Sequence, residues 1–97
     1  MTFVQQIDLR TSRIEEIREL EAEWRAATEG TRTLRRSLIV QDRNDPEHYL
    51  VLAFFDDYDS AMTNSQLAAT QDFAAKQAVL LHGAPTFLDL DVIEDRA

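Results

Sequence analysis

Residues 49–55 read Tyr49-Leu50-Val51-Leu52-Ala53-Phe54-Phe55, a run that is apolar at every position. A strand with one face in water alternates apolar and polar residues, and this run does not. It therefore reads as a central strand covered on both faces. Polar turn formers bound it, Asp42 to His48 before and Asp56-Asp57 after. One face would carry Tyr49, Val51, Ala53 and Phe55, the other Leu50, Leu52 and Phe54. The chain's own helices can cover one of these faces, and the sequence does not say which.

Upstream, Leu34, Leu38, Ile39 and Val40 lie among Arg35, Arg36 and Ser37, a strand pattern over Thr33 to Gln41. Asp42-Arg43-Asn44-Asp45-Pro46-Glu47 joins it to the central strand as a hairpin. Phe3, Ile7 and Leu9 place a first strand with one well-buried side in residues 2–9. Between these strands a helix is expected to start at Ser12, with Glu15 closing a capping box. Ile14, Ile17, Leu20, Trp24 and Ala27 form its inner stripe. Glu15, Glu16, Glu19, Glu21 and Glu23 fill its wet side, and Gly30 stops it.

Downstream, Asp56 or Asp57 caps a short helix through Gln66, with Tyr58, Ala61 and Met62 inward. A second helical stretch runs from about Ala69 to Leu81 on Phe73, Ala74, Gln77, Leu80 and Leu81. Gly83-Ala84-Pro85 ends it. A last strand alternates Phe87, Asp89, Asp91 and Ile93 with Leu88, Leu90 and Val92. The order strand, helix, strand, strand, broken helix, strand predicts an α+β fold of ferredoxin-like βαββαβ type. It is a four-stranded antiparallel sheet with helices on one face, in a single domain over residues 1–97. The other face stays apolar, so two sheets are expected to pack face to face as a dimeric α+β barrel. The expected partner is a second copy of the chain.

Composition narrows the function classes. Ten Lys and Arg against eighteen Asp and Glu give a net charge of −8, which repels a nucleic-acid backbone and an anionic membrane surface. The chain has no cysteine, hence no disulfide and no thiolate chemistry. No run approaches the roughly 18 apolar residues of a spanning helix, and the opening Met-Thr-Phe-Val-Gln-Gln is unlike a secretory leader. A cytoplasmic location is the expectation. There is no Gly-rich phosphate loop, no Gly-x-Ser-x-Gly elbow and no His-Glu-x-x-His.

The element order, the broken second helix and the passage Phe54-Phe55-Asp56-Asp57-Tyr58-Asp59-Ser60-Ala61-Met62 through Asn64-Ser65 to Phe73 resemble the dimeric α+β barrel superfamily, in particular its antibiotic-biosynthesis-monooxygenase-like branch. The resemblance spans nearly the whole chain. It implies a pocket between sheet and helices in each subunit and, among active members, oxygenation of an aromatic substrate without a cofactor. Many active members carry a His shortly after the Ala of the second helix, where this chain has Thr63-Asn64-Ser65. Haem-degrading members use a first-strand Asn, a Trp and a His. Here the first strand has Gln5 and Gln6, and Trp24 lies on the first helix, which argues against haem.

Candidate pocket residues are Trp24, Asn64, Tyr58, Thr70 and Arg35, each with a plainer structural role. Trp24 would stack on a flat ligand or simply belong to the core. Asn64 and Thr70 would point polar groups inward or serve as helix stop and cap. Tyr58 would orient a substrate oxygen or pack at an interface. Arg35, in the cluster Arg32, Arg35 and Arg36, would hold an anionic group or pair across the sheet with Asp89 and Asp91. His48 reads as solvated at the hairpin mouth, and His82 as complementing a helix C-terminus. Two histidines without acids at ligand spacing make no metal site. No catalytic base is identified. Two functions stay open: a barrel that binds a small aromatic or apolar molecule and resembles cofactor-independent monooxygenases, and a non-catalytic structural or regulatory homodimer with a filled pocket. A cavity of about 300 Å³ or more, lined by Trp24 and polar side chains, separates the two.

Overall fold

A computed structural model describes residues 2–97. The elements follow the order β1 (Phe3–Arg10), α1 (Ile14–Ala27), β2 (Arg36–Gln41), β3 (His48–Phe55), α2 (Tyr58–Gln66), α3 (Ala68–Ala78) and β4 (Thr86–Asp91). The four strands form one antiparallel sheet in the order β2-β3-β1-β4. The all-apolar run is thus an interior strand, hydrogen-bonded on both sides, and the ferredoxin-like α+β architecture is observed.

The helices lie on the face that carries Tyr49, Val51, Ala53 and Phe55. Phe3, Ala53 and Phe55 pack with Ala61 of α2, and Leu9 and Tyr49 pack with Ile17 of α1 and with Leu80. Opposed residues in an antiparallel pair share a face, so the register fixes the other side. Leu38, Leu52, Gln6 and Leu88 form one row across it. Arg36, Phe54, Val4 and Leu90 form the next, with the Arg36 guanidinium 5.6 Å above the Phe54 ring. No helix among the described residues covers these rows.

Local chemistry explains where the helices begin. Asp57 has extended backbone and its Oδ1 accepts from the Ser60 amide at 2.7 Å, so α2 starts at Tyr58. The expected Ser12–Glu15 capping box does not form. Arg13 is the N-cap and makes no side-chain cap bond. The buried Thr11 hydroxyl takes over, accepting from the Arg13 amide at 2.9 Å and donating to the Leu80 carbonyl at 2.6 Å. That tie to the segment after α3 outcompetes a purely local cap. Helix α3 ends at Ala78, earlier than its apolar pattern suggests, because Leu80 turns in to the core and the His82 amide donates to the Arg10 carbonyl at 2.8 Å. His82 therefore lies beyond the helix, and the expected dipole pairing does not apply.

Two charge expectations are also corrected. β2 and β4 are opposite edges of the sheet, so Arg35 and Arg36 cannot meet Asp89 or Asp91. Arg35 instead makes a two-point bond to Asp56, at 3.0 and 2.6 Å, which raises the guanidinium's affinity for its proton and holds the carboxyl below its usual value. His48 is not solvated but clasped, with Nδ1 3.1 Å from Asp42 Oδ2 and Nε2 3.0 Å from Asp8 Oδ1. Its side chain is 20% exposed.

Hydrogen bonding to Asp42, then to Asp8, raises the His48 pKa above its ordinary 6.5. The folded chain therefore holds this proton more tightly than the unfolded one. The resulting stabilisation is complete below the unfolded value and is lost as pH rises through the raised folded value. His48→Gln is expected to lower the melting temperature more at about pH 5.5, below the ordinary imidazole value, than at about pH 9, well above it. Thermal melts of both proteins at the two pH values check this, and an equal deficit at both would refute it.

Candidate functional site

Between the helices and the sheet lies a cavity of about 320 Å³, at the lower end of the range of small-molecule sites, about 300–1,000 Å³. It sits where the core divides. One cluster, around Phe3 and Phe55, packs under α2; the other, around Leu9 and Ile17, packs under α1. Ile7, Val51 and Ala53 of the sheet line the space between them.

Helical spacing brings α1 residues to this wall. Positions 17, 21 and 24 fall on one face, so Ile17, Glu21 and Trp24 all line the cavity. Trp24 is buried, and its indole N–H donates to Thr70 Oγ1 at 2.8 Å, tying α1 to α3. The Thr70 hydroxyl, having accepted that bond, keeps its own proton to give.

Asn64 enters from α2. It is buried, and its Oδ1 accepts from the Thr33 amide at 3.1 Å, fastening α2 to the segment before β2. Its Nδ2 has no protein acceptor among the described residues, although no fully buried side-chain polar atom there lacks a partner. The amide donors of Asn64 are thus the part turned to open space. Ser37 of β2 contributes a hydroxyl that accepts from Arg25 Nη2 at 3.0 Å.

Of the five residues proposed from sequence, the fold brings Trp24, Asn64 and Thr70 together on this cavity and leaves Tyr58 and Arg35 outside it. Tyr58 opens α2, is half exposed, and meets the Phe3 ring edge-on with centroids 5.5 Å apart. Arg35 is exposed and occupied by Asp56. Glu21 is the residue that the sequence reading missed. Its charge places it on the wet side of α1 in the sequence, yet its side chain is only 25% exposed. The signal was available, since Glu21 stands four residues after Ile17 and three before Trp24. Among the described residues no group of three His, Asp or Glu is placed to hold a metal ion.

The fold matches solved structures over almost its whole length. SnoaB, a cofactor-independent oxygenase from Streptomyces nogalater crystallised as a point variant, aligns with a TM-score of 0.81 at 12% identity, over 97% of this chain and 95% of that one. A provisionally named antibiotic biosynthesis monooxygenase from Caulobacter crescentus gives 0.81 at 14% identity, over 96% and 91%. A conserved protein from Methanosarcina mazei gives 0.80 at 11% identity, over 93% and 91%. The chain thus has the fold of antibiotic-biosynthesis-monooxygenase-like proteins, as the sequence resemblance implied. At such identities the likeness concerns fold, which does not carry function with it. No protein-family model and no curated protein matches the sequence.

The Trp24–Thr70 bond can be tested directly. Thr70→Val keeps shape but leaves the indole N–H without its partner, at a cost of about 1–3 kcal/mol. In a Trp24→Phe background the same change is expected to cost much less. Urea unfolding followed by circular dichroism measures all four proteins, and an equal cost in both backgrounds would remove the bond from the account.

Proposed function

We propose that this protein is a small-molecule-binding homodimer, a dimeric α+β barrel whose cavity takes a compact aromatic or apolar ligand. The observation that carries this reading is the cavity itself: about 320 Å³, walled by hydrocarbon, with Trp24 and a few polar groups converging on it. Such a combination of apolar lining and sparse hydrogen-bonding groups is the usual form of a ligand site. A homodimer with a filled pocket does not leave this space.

Within the site the residues divide the work. Trp24 offers a flat face, held in orientation by Thr70. Asn64 and Thr70 offer donors to a ligand oxygen. The surrounding Ile7, Ile17, Val51 and Phe73 supply apolar walls. The activity we propose is oxygenation without a cofactor, by likeness to SnoaB, whose description is of a cofactor-independent oxygenase. An electron-rich phenol or enol becomes reactive toward oxygen once it has lost its proton, and apolar walls limit that species' contact with water.

The dimer rests on the open sheet face. Leu38, Val40, Leu50, Leu52, Phe54, Leu88 and Leu90 share it by register, with Gln6 and the already buried Val4 between β3 and β4. Leu88 is 54% exposed in the single chain. A contiguous apolar surface of this kind is uncommon on a monomer, and pairing across a twofold axis buries both copies at once.

Two measurements test the proposal. Sedimentation at micromolar concentration is expected to give twice the 11.1 kDa chain mass, and Leu52→Asp, at the centre of the open face, is expected to give the single-chain mass. A wild-type monomer would reject the assembly. Calorimetric titration with an uncharged naphthalene derivative is expected to show one saturable site per chain. Val51→Phe, which fills the cavity floor, is expected to weaken it at least tenfold. Binding that ignores this substitution would reject the site.

A further inference from the structure

We infer that the cavity selects an uncharged ring system bearing a hydroxyl or comparable donor, that the Glu21 carboxylate accepts that donor, and that ligands carrying a carboxylate are rejected. This rests on the cavity being a ligand site. Among the described residues of its wall, Glu21 is the one with an ionisable side chain; no lysine, arginine or histidine lines it.

The charge of Glu21 is only partly answered. Arg25 approaches from outside the lining, its Nε 3.4 Å from Glu21 Oε1, a long contact. Its Nη2 is committed to Ser37 Oγ at 3.0 Å. Glu21 Oε2 has no protein partner among the described residues and remains a free acceptor. An entering anion meets this carboxylate among hydrocarbon walls, where like-charge repulsion is screened less than in water. It finds no cation placed to receive it. The net charge of −8 opposes its approach as well.

A neutral hydroxyl meets the opposite situation. Bonds from an O–H to an ionised carboxylate are about twice as strong as neutral ones. The remaining polar lining side chains, among them Gln5, Asn64 and Thr70, are uncharged and adapt to donors or acceptors elsewhere on the ring. Glu21 is therefore the group that decides which ring enters with its polar edge toward α1.

The test compares 2-naphthol, 2-methoxynaphthalene and 2-naphthoate by calorimetric titration at about pH 7, where the naphthol is neutral and the naphthoate charged. Wild type is expected to bind the naphthol about tenfold more tightly than the methyl ether, and the naphthoate more weakly than either, as a charge-assisted bond gained and a repulsion added would give. Glu21→Gln keeps the volume and removes the charge, so the naphthol preference should shrink and the naphthoate should rise to within a few-fold of the ether. Arg25→Gln removes the cation but leaves the acceptor, and should reject the naphthoate at least as strongly as wild type. The wild-type ranking stands on its own if a variant fails to fold. Equal affinities for the three ligands in wild type, or unaltered naphthoate rejection in Glu21→Gln, would overturn the role of Glu21 while leaving the cavity a ligand site. Failure of all three to bind would overturn the ligand-site reading itself.

Discussion

Keeping both sides of β3 dry is the constraint on which the rest of this molecule depends. Each large apolar side chain moved out of water contributes about 1.5–3 kcal/mol, while a whole domain is stable by only about 5–15 kcal/mol. β3 carries seven consecutive apolar residues, Tyr49 to Phe55, so its placement outweighs most other choices in the fold. It must be interior to the sheet, and it is paired along its length to β1 and β2. One side is covered by the helices. The opposite side, with Leu50, Leu52 and Phe54, holds several kcal/mol of unrealised burial in a single chain, which is the physical case for a second copy.

The cavity has a different origin, in how the helical layer is divided. A void in a core is destabilising, and walls that are free to move close in on it. Here three polar links restrain them: Trp24 to Thr70 joins α1 to α3, Asn64 to Thr33 anchors α2, and Arg25 to Ser37 joins α1 to β2. Each spans two segments distant in sequence. Larger apolar residues at Ala53, Ala61 and Ala74 would have filled the space; small ones leave it open.

Much of this was legible in the sequence where the cause is local. The all-apolar run, the Asp57 cap and the Gly30 and Gly83 turns, both at positive φ, depend on neighbours within a few residues. What was not legible depends on strand order or on competition between distant bonds. Arg35 could be read as a cross-sheet partner of Asp89 because nothing local says that β2 and β4 occupy opposite edges. Thr11 displaced Ser12 at the start of α1 because it reaches Leu80, 69 residues away in sequence. Trp24, Asn64 and Thr70 could be gathered in one pocket only through the family resemblance. Glu21 was hidden for another reason: in a helix with five glutamates, a rule that sends every charge to solvent loses the one that the helical angle turns inward.

The two faces of β3 also bear on which wall of the cavity can yield. Val51 and Ala53 form its floor, and their neighbours Leu50 and Leu52 point to the open face, so any shift of the strand would disturb both at once. Such a shift would also break backbone bonds to β1 and β3's other neighbour β2. Helix α3 is held far less firmly. None of its residues is fully buried, and Thr70 is its tie to Trp24. Local opening is cheapest where few buried contacts must be given up. The sheet is therefore the more firmly anchored side of the cavity and α3 the less firmly anchored one, with the Trp24–Thr70 bond among its ties to α1.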